Sequence, residues 1–423
     1  MPAPEHMTAS VSQSRIVEPG VWGTLQQPLF RGLWIAAIVS YTGTWMQNMA
    51  AGWLMTSLSS SPLMISLVQA STSFAVFFVA LPAGALADMV DRRKLLLITQ
   101  SWMVAAAAIL GVLTIRGAVT PGVLLLFTFF MGLGAVMNDP AWQAITPEIV
   151  SSECLPTAVA INSAAFNIAR AVGPALAGLV IATFNSGAVF LLNAASFFGV
   201  IFVLAQWRRA PRIAHEHGRR LLASIRAGMV HVSRDATLKA VLVRTGVFSF
   251  FSSALWALLP AIARGHGSVG YGIIFGLMGL GSLLGAALLH HLRRRCSIDV
   301  LVGIATLLFA GASFSAGRIE TFWAHCLVFI CAGFGWICAV ASFNLVAQTA
   351  APDWVRARML SMYVLVLQGG MSIGSVLWGA IADRAGVSSA LTYAAVGLMA
   401  GLAVVPFHSL RVPVRDVTMA PQQ

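Results

Sequence analysis

Charged side chains are scarce in this sequence. Asp, Glu, Lys and Arg make up 9% of its 423 residues, where a soluble globular chain carries about 25%. That scarcity argues against a water-facing fold of this length. Cysteine is sparse too. The five residues form no CxxC pair and no metal-ligand spacing, and Cys326, Cys331 and Cys338 read as small apolar packing residues of one helix. No G-x-x-x-x-G-K-S/T loop occurs, which argues against direct use of ATP. No His, Cys or Ser constellation converges, so an enzyme is the least supported class; His290, His291 and His408 fall at helix ends. The first 28 residues are polar and lack an apolar core with a cleavage site, so no signal peptide is expected and they read as a tail.

Apolar sequence fills the chain instead. Hydrophobic residues reach 58% and the mean hydropathy is +0.84. Twelve apolar runs stand at 31–56, 62–87, 95–115, 120–140, 156–183, 187–206, 238–263, 269–291, 299–317, 321–348, 358–382 and 388–410. Most reach the roughly 20 residues that a helix needs to cross about 30 Å of hydrocarbon. Runs of this length select helices over β-barrel strands of about ten residues. The expected class is an all-α integral membrane protein with twelve transmembrane helices.

These runs fall into two halves that repeat at an offset of 201 residues. GALADMVDRRK (Gly84 to Lys94) matches GAALLHHLRRR (Gly285 to Arg295), so that Gly84 answers to Gly285 and Arg92 to Arg293. At the same offset, the segment from Gly173 matches the segment from Gly374. A repeat in one direction with six spans per unit implies two pseudo-symmetric bundles related by an axis along the membrane normal. The organisation expected is a tail over 1–28, a bundle over 29–206, a linker over 207–237, a second bundle over 238–410 and a tail over 411–423. Within the linker, Leu221, Leu222, Ile225, Met229 and Val232 recur at helical spacing among Arg219, Arg220 and Arg226. This reads either as an amphipathic helix on the anionic inner leaflet or as a soluble linker helix.

The net charge of +12 is a topology signal rather than a sign of nucleic-acid binding. With the N-terminus inside, one face collects Arg15, Arg31, Arg92, Arg93, Lys94, the basic residues of 207–244, Arg293, Arg294, Arg295, Arg356, Arg358, Arg411 and Arg415. The other holds Arg116, Arg264, Arg318 and Arg384. By the positive-inside rule both termini are expected in the cytoplasm. No sizeable extramembrane domain stands between the runs, so a substrate has to be handled inside the membrane.

From about residue 28 to 410 the chain resembles the major facilitator superfamily. Members carry G-x-L-A-D-R-x-G-R-R/K between helices 2 and 3. Here Gly84, Leu86, Ala87, Asp88, Arg92, Arg93 and Lys94 match, while Met89 and Asp91 depart from the usual Arg and Gly. The resemblance implies a gating network of Gly84, Asp88, Arg92 and Arg93, with Asp139 near the end of helix 4 as its third member. The alternative is a plain stop-transfer turn. Leu289 stands where the second copy would repeat Asp88, so the network is lopsided.

Helix 5 carries ARAVGPALAG, Ala169 to Gly178. Exporting members of the superfamily, usually antiporters, show G-x-x-x-G-P-x-x-G-G there. Gly173, Pro174 and Gly178 match it, and Ala169 and Ala177 substitute other small residues. Small residues let helices approach, and a proline frees a backbone carbonyl. The strings MNDPAWQAITPEIV, INSAAFNIARAVGPALAG and PDWVRARMLSMY are similar to a bacterial efflux branch that includes enterobactin and macrolide exporters. That resemblance implies export of siderophore-like or amphipathic drug-like small molecules across the bacterial inner membrane.

Arg170 is the one basic residue deep within an expected span. A charge there costs about 2.5–3.5 kcal/mol on insertion scales, so it faces a cavity or a partner. It reads as a contact for an anionic substrate or a control on a protonatable neighbour, against a structural post for helix-end carbonyls. Candidate cavity residues are Tyr41, Thr44, Gln47 and Asn48 on helix 1, Asn162 and Asn167 on helix 5, Asn344 on helix 10 and Gln368 on helix 11. Trp45, Trp53 and Phe166 supply apolar wall. Related proteins often read GDW in helix 1, where this chain reads GTW with Thr44. Proton coupling therefore falls to Asp139 first and Asp383 second.

The reading is a secondary exporter of the proton-antiporter type that the resemblance implies, with no cofactor beyond a proton gradient. Its expected partners are a small-molecule substrate and the bilayer, with no nucleic acid, and it is taken as monomeric. A lipid or lysolipid translocator, an importer, and a membrane sensor or assembly partner that has lost transport are the alternatives.

Overall fold

Among the described residues twelve long helices follow one another, joined mostly by short turns. The computed structural model describes residues 20–89, 91–207 and 235–410, of which 80–89, 353, 354 and 357 are described by backbone alone. After a short helical turn, Val21–Leu25, come α1 (Pro28–Leu58), α2 (Pro62–Met89), α3 (Arg92–Ile115), α4 (Pro121–Ile149), α5 (Leu155–Thr183) and α6 (Ser186–Gln206). The second half comprises α7 (Ala236–Ala263), α8 (Gly267–Arg295), α9 (Ile298–Ala316), α10 (Phe322–Ala350), α11 (Asp353–Ala385) and α12 (Val387–Gly401).

Local sequence sets the helix ends. Pro28, Pro62 and Pro121 open α1, α2 and α4, where a missing N–H is no loss. Thr120, Asn185, Asp235 and Ser297 cap α4, α6, α7 and α9 by accepting the backbone N–H three residues on. Asp91, a departure from the loop pattern, does the same for α3 through the N–H of Lys94 at 3.0 Å.

Two boundaries differ from expectation. The run 120–140 predicts a helix ending at Pro140, yet α4 continues through Pro140 and Pro147 to Ile149. Each proline removes one helical bond, and α3 holds the helix in place: Thr99 and Gln100 donate to Asn138 Oδ1 at 3.4 and 3.0 Å. The run 388–410 is α-helical only to Gly401. Leu402–Val404 tighten into a 3-10 turn before Pro406, which has no N–H to continue the helix.

Ten stretches of the described residues are long and apolar enough to cross a bilayer, one of them running through both α7 and α8. α1 is not among them, because Ser40, Thr42, Thr44, Gln47 and Asn48 lower its hydropathy. Large apolar side chains such as Ile98, Phe202, Ile304 and Leu327 are exposed on the outside, as befits helices solvated by lipid.

The two halves are built alike. α1 packs on α5 and α6, and α3 on α4 and α6; α7 packs on α11 and α12, and α9 on α10 and α12. Between the bundles α2 runs against α11, and α5 against α8. One end of the molecule carries Arg92, Arg93 and Arg293 to Arg295 and is here termed the basic end. The far end carries Ser61, Asp383 and the α7–α8 turn. The amphipathic helix expected around residues 221–232 and the outer parts of both tails lie outside the described residues.

Candidate functional site

The bundles are closed together at the far end. Ser61 Oγ donates to Asp383 Oδ1 at 2.6 Å and Ser372 Oγ to the Ala70 carbonyl at 3.3 Å, joining α2 to α11. Ser268 Oγ donates to the Gly178 carbonyl at 3.2 Å, joining α8 to α5. Close approaches at four glycines extend this second seam, two of them at Gly178 and Gly279. A Cβ added to Gly178 would lie 2.6 Å from the Ser268 carbonyl oxygen, and one added to Gly279 would lie 2.7 Å from that of Arg170.

The second approach has a cause in the sequence. Pro174 has no N–H, so the carbonyl four residues earlier, that of Arg170, loses its helical donor. That oxygen lies against the bare Cα of Gly279, an arrangement in which weak Cα–H···O contacts form. Gly173 serves a different contact, since its missing Cβ leaves room for Trp45 and the Thr42 carbonyl of α1, within the first bundle. From Gly178 to Arg170 the seam covers about 12 Å of helix rise.

Beyond the seal lies a cavity of about 320 Å³ between the bundles. Arg170 is the single charged residue among those lining it. It is 8% exposed, and its guanidinium carbon lies 5.3 Å from the Trp45 ring and 5.4 Å from the Trp256 ring. One ring comes from each bundle. Such contacts contribute about 0.5–2 kcal/mol apiece. The Arg170 Nε is buried with no hydrogen-bond partner, a condition that costs about 1–3 kcal/mol. Trp256 also precedes a helix proline, Pro260, by four residues, so each half of this cation–π pair has a carbonyl without its helical donor.

A second space of about 530 Å³ lies toward the basic end between α1, α4 and α5. Phe166 lines both spaces. Aromatic rings run from one to the other: Trp142 to Tyr41 at 6.5 Å, Tyr41 to Phe166 at 5.4 Å, Phe166 to Trp45 at 5.9 Å and Trp45 to Phe275 at 6.1 Å.

The structure brings together part of the expected residue set. Asn48, Arg170 and Gln368, with Trp45 and Phe166, line the central cavity, and Tyr41, Asn162 and Asn167 line the cleft. Trp53 stacks on Tyr271 of the other bundle with centroids 6.0 Å apart. Three residues point elsewhere. Gln47 is buried and accepts from Asn193 Nδ2 of α6 at 2.6 Å, so it joins helices within one bundle. Thr44 donates back to the Ser40 carbonyl at 2.9 Å. Asn344 accepts from Gln348 one turn along α10 and is not among the residues lining either space.

The loop motif is rearranged as well. Gly84 and Asp88 lie on the last turns of α2, where the backbone alone is described. Arg92 pairs with Glu148 at 2.7 Å and donates to the Ala144 carbonyl at 3.3 Å. Asp139 lies nine residues from Glu148, about 13 Å along the helix, which puts it out of reach of that arginine. Asp139 is within electrostatic range of Tyr41, which lines the cleft. Arg93 donates to the carbonyls of Leu204 and Ala205 at 2.8 and 2.7 Å, closing the C-terminus of α6.

Several lining residues are absent from the expected set: Gln69 and Thr72 on α2, Thr128 on α4, and Trp256, Tyr271 and Trp336 on α7, α8 and α10. The repeat holds a signal for the last group, because α7 is the counterpart of α1 and carries a tryptophan well inside its span. Arg244 counts by sequence with the basic residues of 207–244 expected on the cytoplasmic face, but it is buried inside α7 and pairs with Asp299 at the start of α9.

Two like-directed six-helix halves enclosing a cavity that is sealed at one end define a membrane transporter of the major facilitator type. Within that superfamily the chain belongs to the transmembrane secretion effector family, whose pattern matches residues 19–423. It is 23% identical over 365 residues to the staphyloferrin A transporter of Staphylococcus aureus, covering 83% of this chain and 89% of that one. It is 25% identical over 365 residues to the enterobactin exporter EntS of Escherichia coli, covering 84% and 85%. Among solved structures, the nucleoside transporter NupG superposes with a TM-score of 0.77 at 12% identity, over 90% of this chain and 99% of that one. A bacterial homologue of the human lysosomal transporter Spinster, inward-facing and unoccupied, gives 0.67 at 14% identity, over 91% and 96%. At these identities the solved structures establish the fold. The family and its relatives are transporters rather than enzymes, and the chain is a multi-pass membrane protein.

Proposed function

We propose that the protein is a bacterial inner-membrane secondary exporter that moves siderophore-like or amphipathic drug-like small molecules by alternating access, driven by proton influx. The observation that carries this reading is the pairing of a sealed far end with a space toward the basic end, on either side of a cavity shared by both bundles. A substrate entering the cleft meets Phe166 and then the chamber around Arg170. Rocking the bundles would part the α5–α8 seam and expose that chamber at the opposite face.

The excess of Arg at the basic end supports placing it, and both termini, in the cytoplasm. In that orientation the structure is open inward. Export is supported by the Pro174 seam and by the likeness to an enterobactin exporter. Proton drive needs a titratable group on the route. Asp139 is the candidate, being the acidic residue beside the cleft at Tyr41. The tails, the linker and a single-chain working unit complete the proposal, with no resident cofactor.

The test is proton movement in energised inside-out vesicles as siderophores, macrolides and cationic dyes are added in turn. Collapse of the pH gradient on adding one class, absent from vesicles without the protein, supports antiport. Silence across the panel with correctly inserted protein refutes proton-coupled export of these cargoes and turns attention to lipid cargo or uncoupled transport.

A further inference from the structure

We propose that the central cavity is a binding site for compact aromatic organic anions, whose planar acid group pairs with Arg170 while their rings pack among Trp45, Trp256 and Trp336. The proposal rests on reading this chamber as the cargo site and adds the charge and shape of the cargo.

Charge is the first argument. Arg170 is the one charged residue lining the chamber, it is 8% exposed, and no ion pair to it exists among the described residues. A cation brought into this space meets a like charge in a medium of low dielectric, where repulsion is strong. A neutral ligand leaves the arginine without a counter-charge. An anion satisfies it.

Geometry narrows the acid group. Trp45 and Trp256 occupy ring positions 5.3 and 5.4 Å from the guanidinium carbon, which leaves the in-plane N–H groups as the donors to be satisfied. The Nε lacks a partner but is itself fully buried, so the edge offered to a ligand is that of the two terminal NH2 groups. Two parallel hydrogen bonds from one edge of a guanidinium match the two oxygens of a carboxylate, a match that a lysine ammonium does not reproduce. Asn48, Gln69 and Gln368 also line the cavity and supply neutral polar groups for the rest of a ligand.

Shape follows from the walls. Trp256 and Trp336 meet edge-to-face with centroids 5.2 Å apart, and Trp45 meets Phe275 at 6.1 Å. A flat ring finds stacking partners here at little conformational cost. The volume of about 320 Å³ lies at the small end of ligand pockets. It suits a fused bicyclic acid better than an extended chain.

Three probes of one shape isolate the charge: naphthalene-2-carboxylate, 2-naphthylmethanol and 2-naphthylmethylammonium. Each is titrated calorimetrically into the purified full-length chain in lipid nanodiscs. The carboxylate is expected to bind at least about tenfold more tightly than the alcohol, a difference of about 1.4 kcal/mol, with the ammonium weakest. Arg170→Gln should abolish that order, and Arg170→Lys should keep the order with a smaller spread. Equal affinities in the unmodified chain, no binding of any probe, or an unchanged order in Arg170→Gln would each overturn the proposal. Should Arg170→Gln fail to fold, the series on the unmodified chain decides alone. The two readings fail separately. Vesicles silent to every cargo with the charge order intact refute proton-coupled export and leave the anion site standing. Responsive vesicles with equal probe affinities refute the anion site and leave export standing.

Discussion

The carbonyl oxygen of Arg170 lies against Gly279 of the opposite bundle, so close that a Cβ there would come within 2.7 Å. Pro174 is the reason that oxygen has no helical donor. One residue thus serves both faces of the transport problem. Its backbone forms part of the seam that closes the far end, and its side chain lines the chamber that the seal closes.

This contact predicts the effect of filling the gap. A leucine at Gly279 cannot fit against α5, so the α5–α8 seam should be forced apart and the population shifted away from the state sealed at the far end. A cysteine placed at Ser268, at the mouth of the same seam, reports the change. Its labelling by a membrane-impermeant maleimide should be several-fold faster in the Gly279→Leu background. Equal labelling rates would mean that the seam tolerates the side chain and is not closely packed in the membrane.

The paired arginines of the repeat predict an asymmetry. Arg92 donates to Ala144 of α4, and Arg293, its counterpart, donates to Ala341 of α10 at 2.9 Å. Among the described residues only the first also meets an acid, Glu148. The pair is partly exposed, and such pairs contribute about 0.2–1 kcal/mol. A double-mutant cycle of Arg92→Ala and Glu148→Gln should therefore show a coupling of about 0.5 kcal/mol in thermal melts. Combining Arg293→Ala with Glu148→Gln should be additive. Coupling in the second pair would show that the two halves communicate at the basic end.

The fold is legible in the sequence because its determinants are written in single residues and long averages. Helix positions follow from apolar runs, and the bundle symmetry follows from Gly84 and Arg92 recurring at Gly285 and Arg293. Site residues are legible where a residue is out of place in lipid, as Arg170 is, or where a proline marks a seam. Facing direction is not legible. Gln47 and Asn48 are neighbours of similar chemistry, yet one turns to Asn193 and the other to the cavity. That choice is made by α6 and by the opposite bundle, which no local pattern in α1 reveals. The partner of Arg92 is hidden for a related reason: α4 runs past Pro140, and this brings Glu148 into reach.

That division between neighbours yields its own prediction. Asn193 is fully buried and bonded to Gln47 at 2.6 Å, away from the cavity. Interhelical hydrogen bonds in membranes contribute about 0.6 kcal/mol on average and up to about 1.7. Asn193→Ala should lower the melting temperature while leaving the affinity for a cavity ligand unchanged. Asn48→Ala should do the reverse. If Asn193→Ala weakened ligand binding as much as Asn48→Ala, the two residues would belong to one functional group after all.

Asp139 carries the last prediction. It sits within electrostatic range of Tyr41, which lines the cleft, while Arg92 is occupied by Glu148. A carboxylate that carries protons must bind one on the acidic side of the membrane and release it on the other. Asparagine has the same shape and no proton to exchange. Asp139→Asn should therefore keep downhill counterflow of labelled substrate near the level of the unmodified chain. Uptake driven by a pH gradient in inside-out vesicles should fall by about tenfold or more, equivalent to about 1.4 kcal/mol in rate. The dependence on pH should change with it. In the unmodified chain driven uptake should rise as the vesicle lumen is acidified at fixed external pH, and in Asp139→Asn it should stay flat. Driven uptake that survives the substitution would remove Asp139 from the proton route and move the search to Asp383, whose carboxylate bonds Ser61 across the far end at 2.6 Å.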